Sequence, residues 1–215
     1  MKYLVLLSAG MLLAGSAHAQ LGLKAGLNTS LLSTSSSNQE RNASADGRLG
    51  YQVGVYYVHK LTEHLSVVPE VAYSRQNMQL KLDDHSIADG GYGADYRLNR
   101  SYVNVPIMLR ATFGKLYLEA GPQAGMLLSA HEKGTVYGST IVGGYQQDID
   151  RAASDRYRRI DVSLTGGLGL QLPAGFGIGL RASTGLVAFN REDQPYRGDL
   201  KNQVLQASLS YQLKP

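Results

Sequence analysis

The sequence predicts an all-β protein, an eight-stranded antiparallel up-and-down β-barrel that crosses a membrane. Three observations lead there. Segments of the chain alternate large apolar residues with small or polar ones at a period of two. The links between them are alternately tight and long. The polar face is small and glycine-rich yet carries charges at mid-strand, as the lining of a narrow lumen would.

The N-terminus predicts export. Lys2 precedes an apolar run over residues 4–14, and Ala17-His18-Ala19 has the form of a cleavage site. Residues 1–19 read as a signal peptide and residues 20–215 as one barrel domain. No cysteine is present, so an exported domain of this size would fold without disulfides. No second long apolar run predicts a membrane helix. The net charge of +4 falls by one when Lys2 is removed, and the charges are interspersed. That distribution argues against a nucleic-acid partner.

The first strand, residues 21–32, sets Leu21, Leu23, Ala25 and Leu27 against Gly22, Lys24, Gly26 and Asn28. Residues 49–58 set Leu49, Tyr51, Val53 and Val55 against Gly50, Gln52, Gly54 and Tyr56. Residues 65–73 oppose Leu65, Val67 and Val71 to Ser66, Val68 and Glu70. Residues 102–111 oppose Val103, Val105, Ile107 and Leu109 to Asn104, Met108 and Arg110. Residues 116–130 alternate Leu116, Leu118 and Ala120 with Tyr117, Glu119 and Gly121. The glycine-rich residues 160–186 divide at the turn Pro173-Ala174-Gly175 into two strands, with Leu164, Leu168 and Leu180 on one face and Asp161, Gly167 and Arg181 on the other. Residues 205–213 close the pattern with Leu205, Ala207 and Leu209 against Gln206 and Ser208. The apolar phase reverses after Tyr73, because Met78, Leu80 and Leu82 have the opposite parity. This reads as a bulge or as strand that has risen above the membrane.

Residues 60–64, 113–115 and 173–175 form the tight links; residues 33–48, 83–98, 132–157 and 190–200 form long, polar ones. An even strand number puts both termini on the tight-turn, periplasmic side. A soluble sandwich also alternates, so the charges decide the solvent. An Arg or Lys at mid-strand facing lipid would cost about 2–4 kcal/mol, so the polar face must look inward and the leucines outward. Tyr51, Tyr57, Tyr73 and Tyr211 stand toward the ends of the apolar faces, where an interfacial belt belongs.

Four stretches now show a resemblance. Residues 21–28 (LGLKAGLN), 65–74 (LSVVPEVAYS), 103–109 (VNVPIML) and 118–125 (LEAGPQAG), with the closing 202–211 (NQVLQASLSY), resemble the PorT-like "porin family" outer-membrane β-barrel domain. The likeness spans essentially the whole chain after residue 19. It implies an eight-stranded barrel of OmpA or OmpX shape in the bacterial outer membrane, and little about activity.

The interior charges Lys24, Glu70, Arg110, Glu119, Asp161 and Arg181 form the sharpest constellation. Three positives face three negatives in a lumen that side chains fill, so the six are expected to pair into a plug. The functional alternative is a gated path or a proton relay. The long links carry Tyr92, Tyr96, Tyr137, Tyr145, Tyr157 and Tyr196, with Arg156, Arg158 and Arg159 at the rim. Tyrosine among Gly and Ser is a recognition mixture, and basic rim residues would meet lipid phosphates.

No catalytic, cofactor or metal site is expected. His59, His64, His85 and His131 hold no defined spacing to a serine and an acid, and no G-x-S-x-G is present. Asp83-Asp84-His85 and Asp89 could offer hard ligands for calcium, and residues 90–95 (GGYGAD) mimic a calcium-binding nonapeptide, but Arg97 takes its apolar position and there is one copy of a repeat that works by stacking. The expectation is a monomeric barrel in outer-membrane lipid, with a structural, adhesion or binding role through its loops. The alternatives are a narrow pore for small solutes, an accessory of a secretion or gliding apparatus, and a lipid-modifying enzyme.

Overall fold

A computed structural model describes residues 20–34, 41–87, 90–140, 143–187 and 200–213. The proposed signal peptide, residues 1–19, lies outside them. Among the described residues nine strands follow in order: β1 (Gln20–Thr34), β2 (Arg41–Lys60), β3 (Leu65–Ile87), β4 (Gly90–Phe113), β5 (Leu116–Thr140), β6 (Gly143–Ala152), β7 (Ile160–Gln171), β8 (Phe176–Gly185) and β9 (Leu200–Gln212). Every pairing is antiparallel. Eight strands close a ring in the order β4-β3-β2-β1-β9-β8-β7-β5, sealed by the β4–β5 pair. In hydrocarbon no water satisfies a free strand edge, so closure is the only way a sheet can span a membrane.

The ring is the expected one, and a ninth strand, β6, is added beside it. β5 forks: residues 116–126 pair with β7, and residues 131–140 pair with β6. Much of the three links read as long loops at 33–48, 83–98 and 132–157 is strand, because β2 to β5 continue far beyond the apolar band. The link 190–200 lies outside the described residues except for Leu200.

The ring is inside-out. Leu23, Leu27, Ile107, Leu164, Leu180 and Leu209 are exposed on the outer wall, while Lys24, Glu70, Arg110, Glu119 and Arg181 are buried. Such a distribution is stable only with hydrocarbon outside. Tyr51 meets Tyr73 at one edge of the apolar band, with ring centroids 6.2 Å apart, and Phe176 meets Tyr211 at the other at 5.0 Å.

The phase reversal after Tyr73 is a change of surroundings. Even-numbered residues of β3 point inward from Ser66 to Leu80 without a break. Above the lipid band water bathes the outer face, and Met78 and Leu80 enter a second core with Leu98, Tyr102, Leu127 and Tyr157. Bulges lie in the neighbouring pairs, between Arg48 and Tyr51 in β2 and where Leu128 is passed over in β5.

The tight turns have local causes. Thr62 Oγ1 accepts from the amides of His64 (3.3 Å) and Leu65 (3.0 Å) between β2 and β3. Gly114, at φ +62°, takes the first position of the two-residue β4–β5 turn, where a side chain would be strained. Within the wall, aromatic rings lie over glycines. Tyr56 covers Gly22, and Tyr117 covers both Gly169 and Gly179. A Cβ on Gly169 would stand 2.3 Å from the Tyr117 ring and 2.4 Å from the Ile178 carbonyl oxygen. Gly169→Ala should therefore destabilise the barrel by about 1–3 kcal/mol. A fall in the temperature of its heat-induced gel shift, with Gly166→Ala unchanged beside it, is the expected outcome.

Candidate functional site: the charged lumen and the extracellular sheet

Five of the six predicted charges meet in a chain across the lumen. Lys24 on β1 pairs with Glu70 on β3. Arg181 on β8 grips Glu70 through Nη1 (2.5 Å) and Nη2 (2.9 Å), and through Nε reaches Glu119 on β5 at 2.6 Å. Arg110 on β4 donates to the other oxygen of Glu119 from Nε (3.0 Å) and Nη2 (2.8 Å). The order is Lys24–Glu70–Arg181–Glu119–Arg110, with each carboxylate shared by two cations. The outer cations also rest on aromatic faces, Lys24 at 5.6 Å from the Tyr56 centroid and Arg110 at 4.2 Å from that of Tyr117.

Backbone register explains the assembly. Arg110 and Glu119 are direct partners across the β4–β5 hairpin. Glu119 and Arg181 are separated by β7, where Gly167 stands opposite both. A Cβ on Gly167 would stand 2.7 Å from Arg181 Cγ, so the glycine makes room for the guanidinium stem. A cavity of about 10 Å³ beside Lys24, Glu70 and Arg181 has room for about one water.

Asp161 corrects the expected balance of three against three. It stands outside this chain, near the extracellular end of the lumen, where its charge faces Arg100 and its side chain meets Asn202. Arg100 is completely buried and donates to Asn202 Oδ1 at 2.9 Å and to the Tyr102 hydroxyl at 3.3 Å. Asn202 in turn donates to Gln76 Oε1 at 3.0 Å. This layer ties β3, β4 and β9 together. Sequence reading missed Arg100 because it adjoins the stretch taken as a loop; its even parity with Tyr102 and Asn104 was the available signal.

A third cluster lies higher. Glu132, buried on β5 opposite Arg151 of β6, accepts from Arg151 Nε (2.9 Å) and the Tyr157 hydroxyl (2.8 Å), with Arg156 Nε at 3.7 Å. Tyr157 is therefore a core residue, which corrects its reading as a recognition residue. Tyr96 packs partly buried against the same core. Tyr137 and Tyr145 are exposed near the tip of the β5–β6 hairpin. Tyr92 lies on β4 opposite Gly138, and Tyr196 lies outside the described residues. Arg158 and Arg159 are exposed, the latter 3.5 Å from Asp155. Asp89 lies outside the described residues, and nothing is assigned to the side chains of Asp83, Asp84 and His85.

Comparison with known proteins places this geometry. The model of the outer membrane protein beta-barrel domain matches residues 14–189, and the chain belongs to that family. The protein is therefore an outer-membrane β-barrel of a bacterium. Solved structures with a similar trace include Ail, the attachment invasion locus protein of Yersinia pestis, at 13% identity, covering 91% of this chain and 99% of that one with a TM-score of 0.47. Neisserial surface protein A is similar at 10% identity, 90% and 97% coverage and a TM-score of 0.49. OprG of Pseudomonas aeruginosa is similar at 10% identity, 92% and 97% coverage and a TM-score of 0.42. No curated protein matches the chain.

Two expectations follow. Glu119→Gln leaves two buried guanidinium groups short of a counter-charge, and breaking a buried pair costs about 3–5 kcal/mol. The variant should lose its heat-resistant gel mobility at a lower temperature than the parent. Burial, with Tyr96 and Glu132 beside it, holds the Tyr157 hydroxyl well above its ordinary pKa. A pKa raised on folding contributes stability below the unfolded value of about 10 and loses it as pH climbs toward the folded one. Proteolysis within β6 should therefore accelerate above about pH 10, and Tyr157→Phe should remove that component of the rise.

Proposed function

We propose that this protein is a non-conducting barrel that anchors an extracellular β-sheet for binding a partner outside the cell. The observation that carries the reading is the five-residue ionic chain across the lumen, which at its own level leaves a cavity of only about 10 Å³ among the described residues. An ion entering there would have to displace paired charges in a low-dielectric interior, which is costly. The binding half rests on the lobe above the membrane. β3 to β6 form a sheet with its own apolar core, and Tyr137 and Tyr145 are exposed near its tip, with their rings lying over Gly93 and Gly138. Tyrosine offers large contact area at small conformational cost. The proposal includes a monomer set in outer-membrane lipid, without catalytic chemistry. The PorT-like character of the strand motifs is a narrower statement than the family, and it belongs to this proposal.

The test is planar-bilayer conductance of the refolded protein beside Arg110→Ala. No steady current from the parent and leakage from the variant is the expected result. A steady, ion-selective current from the parent would overturn the reading in favour of a pore.

A further inference from the structure

The outer wall of the barrel is not evenly covered. Ala120 on β5, Gly166 on β7 and Ala182 on β8 are successive cross-strand partners, so three small residues stand side by side on the lipid face. The row below them is Leu118–Leu168–Leu180, and the row above is Pro122–Leu164–Thr184. Two adjoining hollows of about 570 and 440 Å³ open here, sharing Gly166, Ala182 and Leu205. Those volumes lie in the range of ligand sites, about 300–1,000 Å³. Gly166 differs from the glycines that lie under tyrosine rings, because a Cβ added to it would meet nothing within 4 Å.

The upper lip of the trough is polar. Thr184 and Gln203 are cross-strand partners that line it. Lys201 shares the outward face of β9 with Gln203 and lies two residues, about 7 Å, further toward the extracellular end. Among the described residues no carboxylate pairs with Lys201. An apolar trough inside the hydrocarbon band, with a cation and two hydrogen-bonding side chains at its outer lip, matches one molecule in charge and polarity. That molecule is a lipid whose acyl chain fills the trough and whose phosphate meets Lys201.

We infer that this face is a binding site for an anionic lipid of the outer leaflet. The inference is independent of whether the lumen conducts. Its test uses the full chain reconstituted in vesicles of phosphatidylglycerol and phosphatidylcholine in equal parts. The protein is then extracted into mild detergent, and retained lipid is read by native mass spectrometry. The parent should keep one phosphatidylglycerol. Gly166→Phe, which fills open space, should reduce that retention by about ten-fold while its heat-induced gel shift stays at the parent's temperature. Ala182→Leu fills the same hollow and serves if the first variant does not fold. Lys201→Ala should still retain a lipid but without preference between the two headgroups. A parent that keeps no lipid, or filled variants that keep as much as the parent, would overturn the inference. So would a dimer that the filled variants abolish, which would make a second copy of the chain the occupant.

Discussion

The fold depends on one constraint: a peptide group in hydrocarbon must find its partner within the protein. The sheet therefore closes, and the seam is the long antiparallel pairing of the first and last strands, from Gly22–Gln212 to Thr34–Leu200. Closing a ring with so few strands leaves an interior that only side chains can fill. That interior is also where the inward residues of every strand must go. The five-charge chain is the consequence. Its members cannot face lipid, and once buried they can remain only as shared pairs.

Side-chain ties and ring-on-glycine contacts divide the work of holding register. The lower ionic chain joins β1, β3, β4, β5 and β8. The Arg100 layer joins β4 to β9 and, through Asn202 and Gln76, to β3. The two remaining strands of the ring, β2 and β7, stand outside both chains and add contacts of shape, with a Thr165–Ser183 hydrogen bond of 2.8 Å also tying β7 to β8. β2 lends Tyr56 to cover Gly22 of β1, and β7 receives Tyr117 of β5 over Gly169. A slip of one residue would turn charges toward lipid and move rings off their glycines, so register is specified at several heights at once.

Above the lipid the same strands obey a different rule. Water on the outer face lets charged and polar residues stand there, and the inner face carries Met78, Leu80, Leu98 and Leu127. β6 and the turn Ser154–Arg156 lie beside this core, and Glu132 draws Arg151 and Tyr157 onto it. The lobe is thus an extension of the barrel wall with its own packing. Tyrosines that sequence reading grouped as one recognition set separate accordingly. Tyr157 is sealed in, Tyr96 is partly buried, and Tyr137 and Tyr145 are exposed on the sheet over Gly93 and Gly138.

Sequence alone determined the ring, the direction of each face, the tight-turn end and the inward placement of Lys24, Glu70, Arg110, Glu119 and Arg181. These follow from a period of two and from the cost of a charge in lipid, both local properties of a strand. The Arg110–Glu119 pair was also within reach, since a two-residue turn places residues at equal distances from it opposite each other. Only the tertiary structure decided that Asp161 leaves the network for the company of Arg100, that Arg181 reaches Glu119 across Gly167, and that β5 forks to take β6. Those outcomes depend on which strands lie across a closed ring and at what stagger. Stagger is set by the sum of all registers around the barrel, and no single segment carries it. The polar links misled for a related reason. A strand with water on one face and a small core on the other needs few apolar residues, and in composition it resembles a loop.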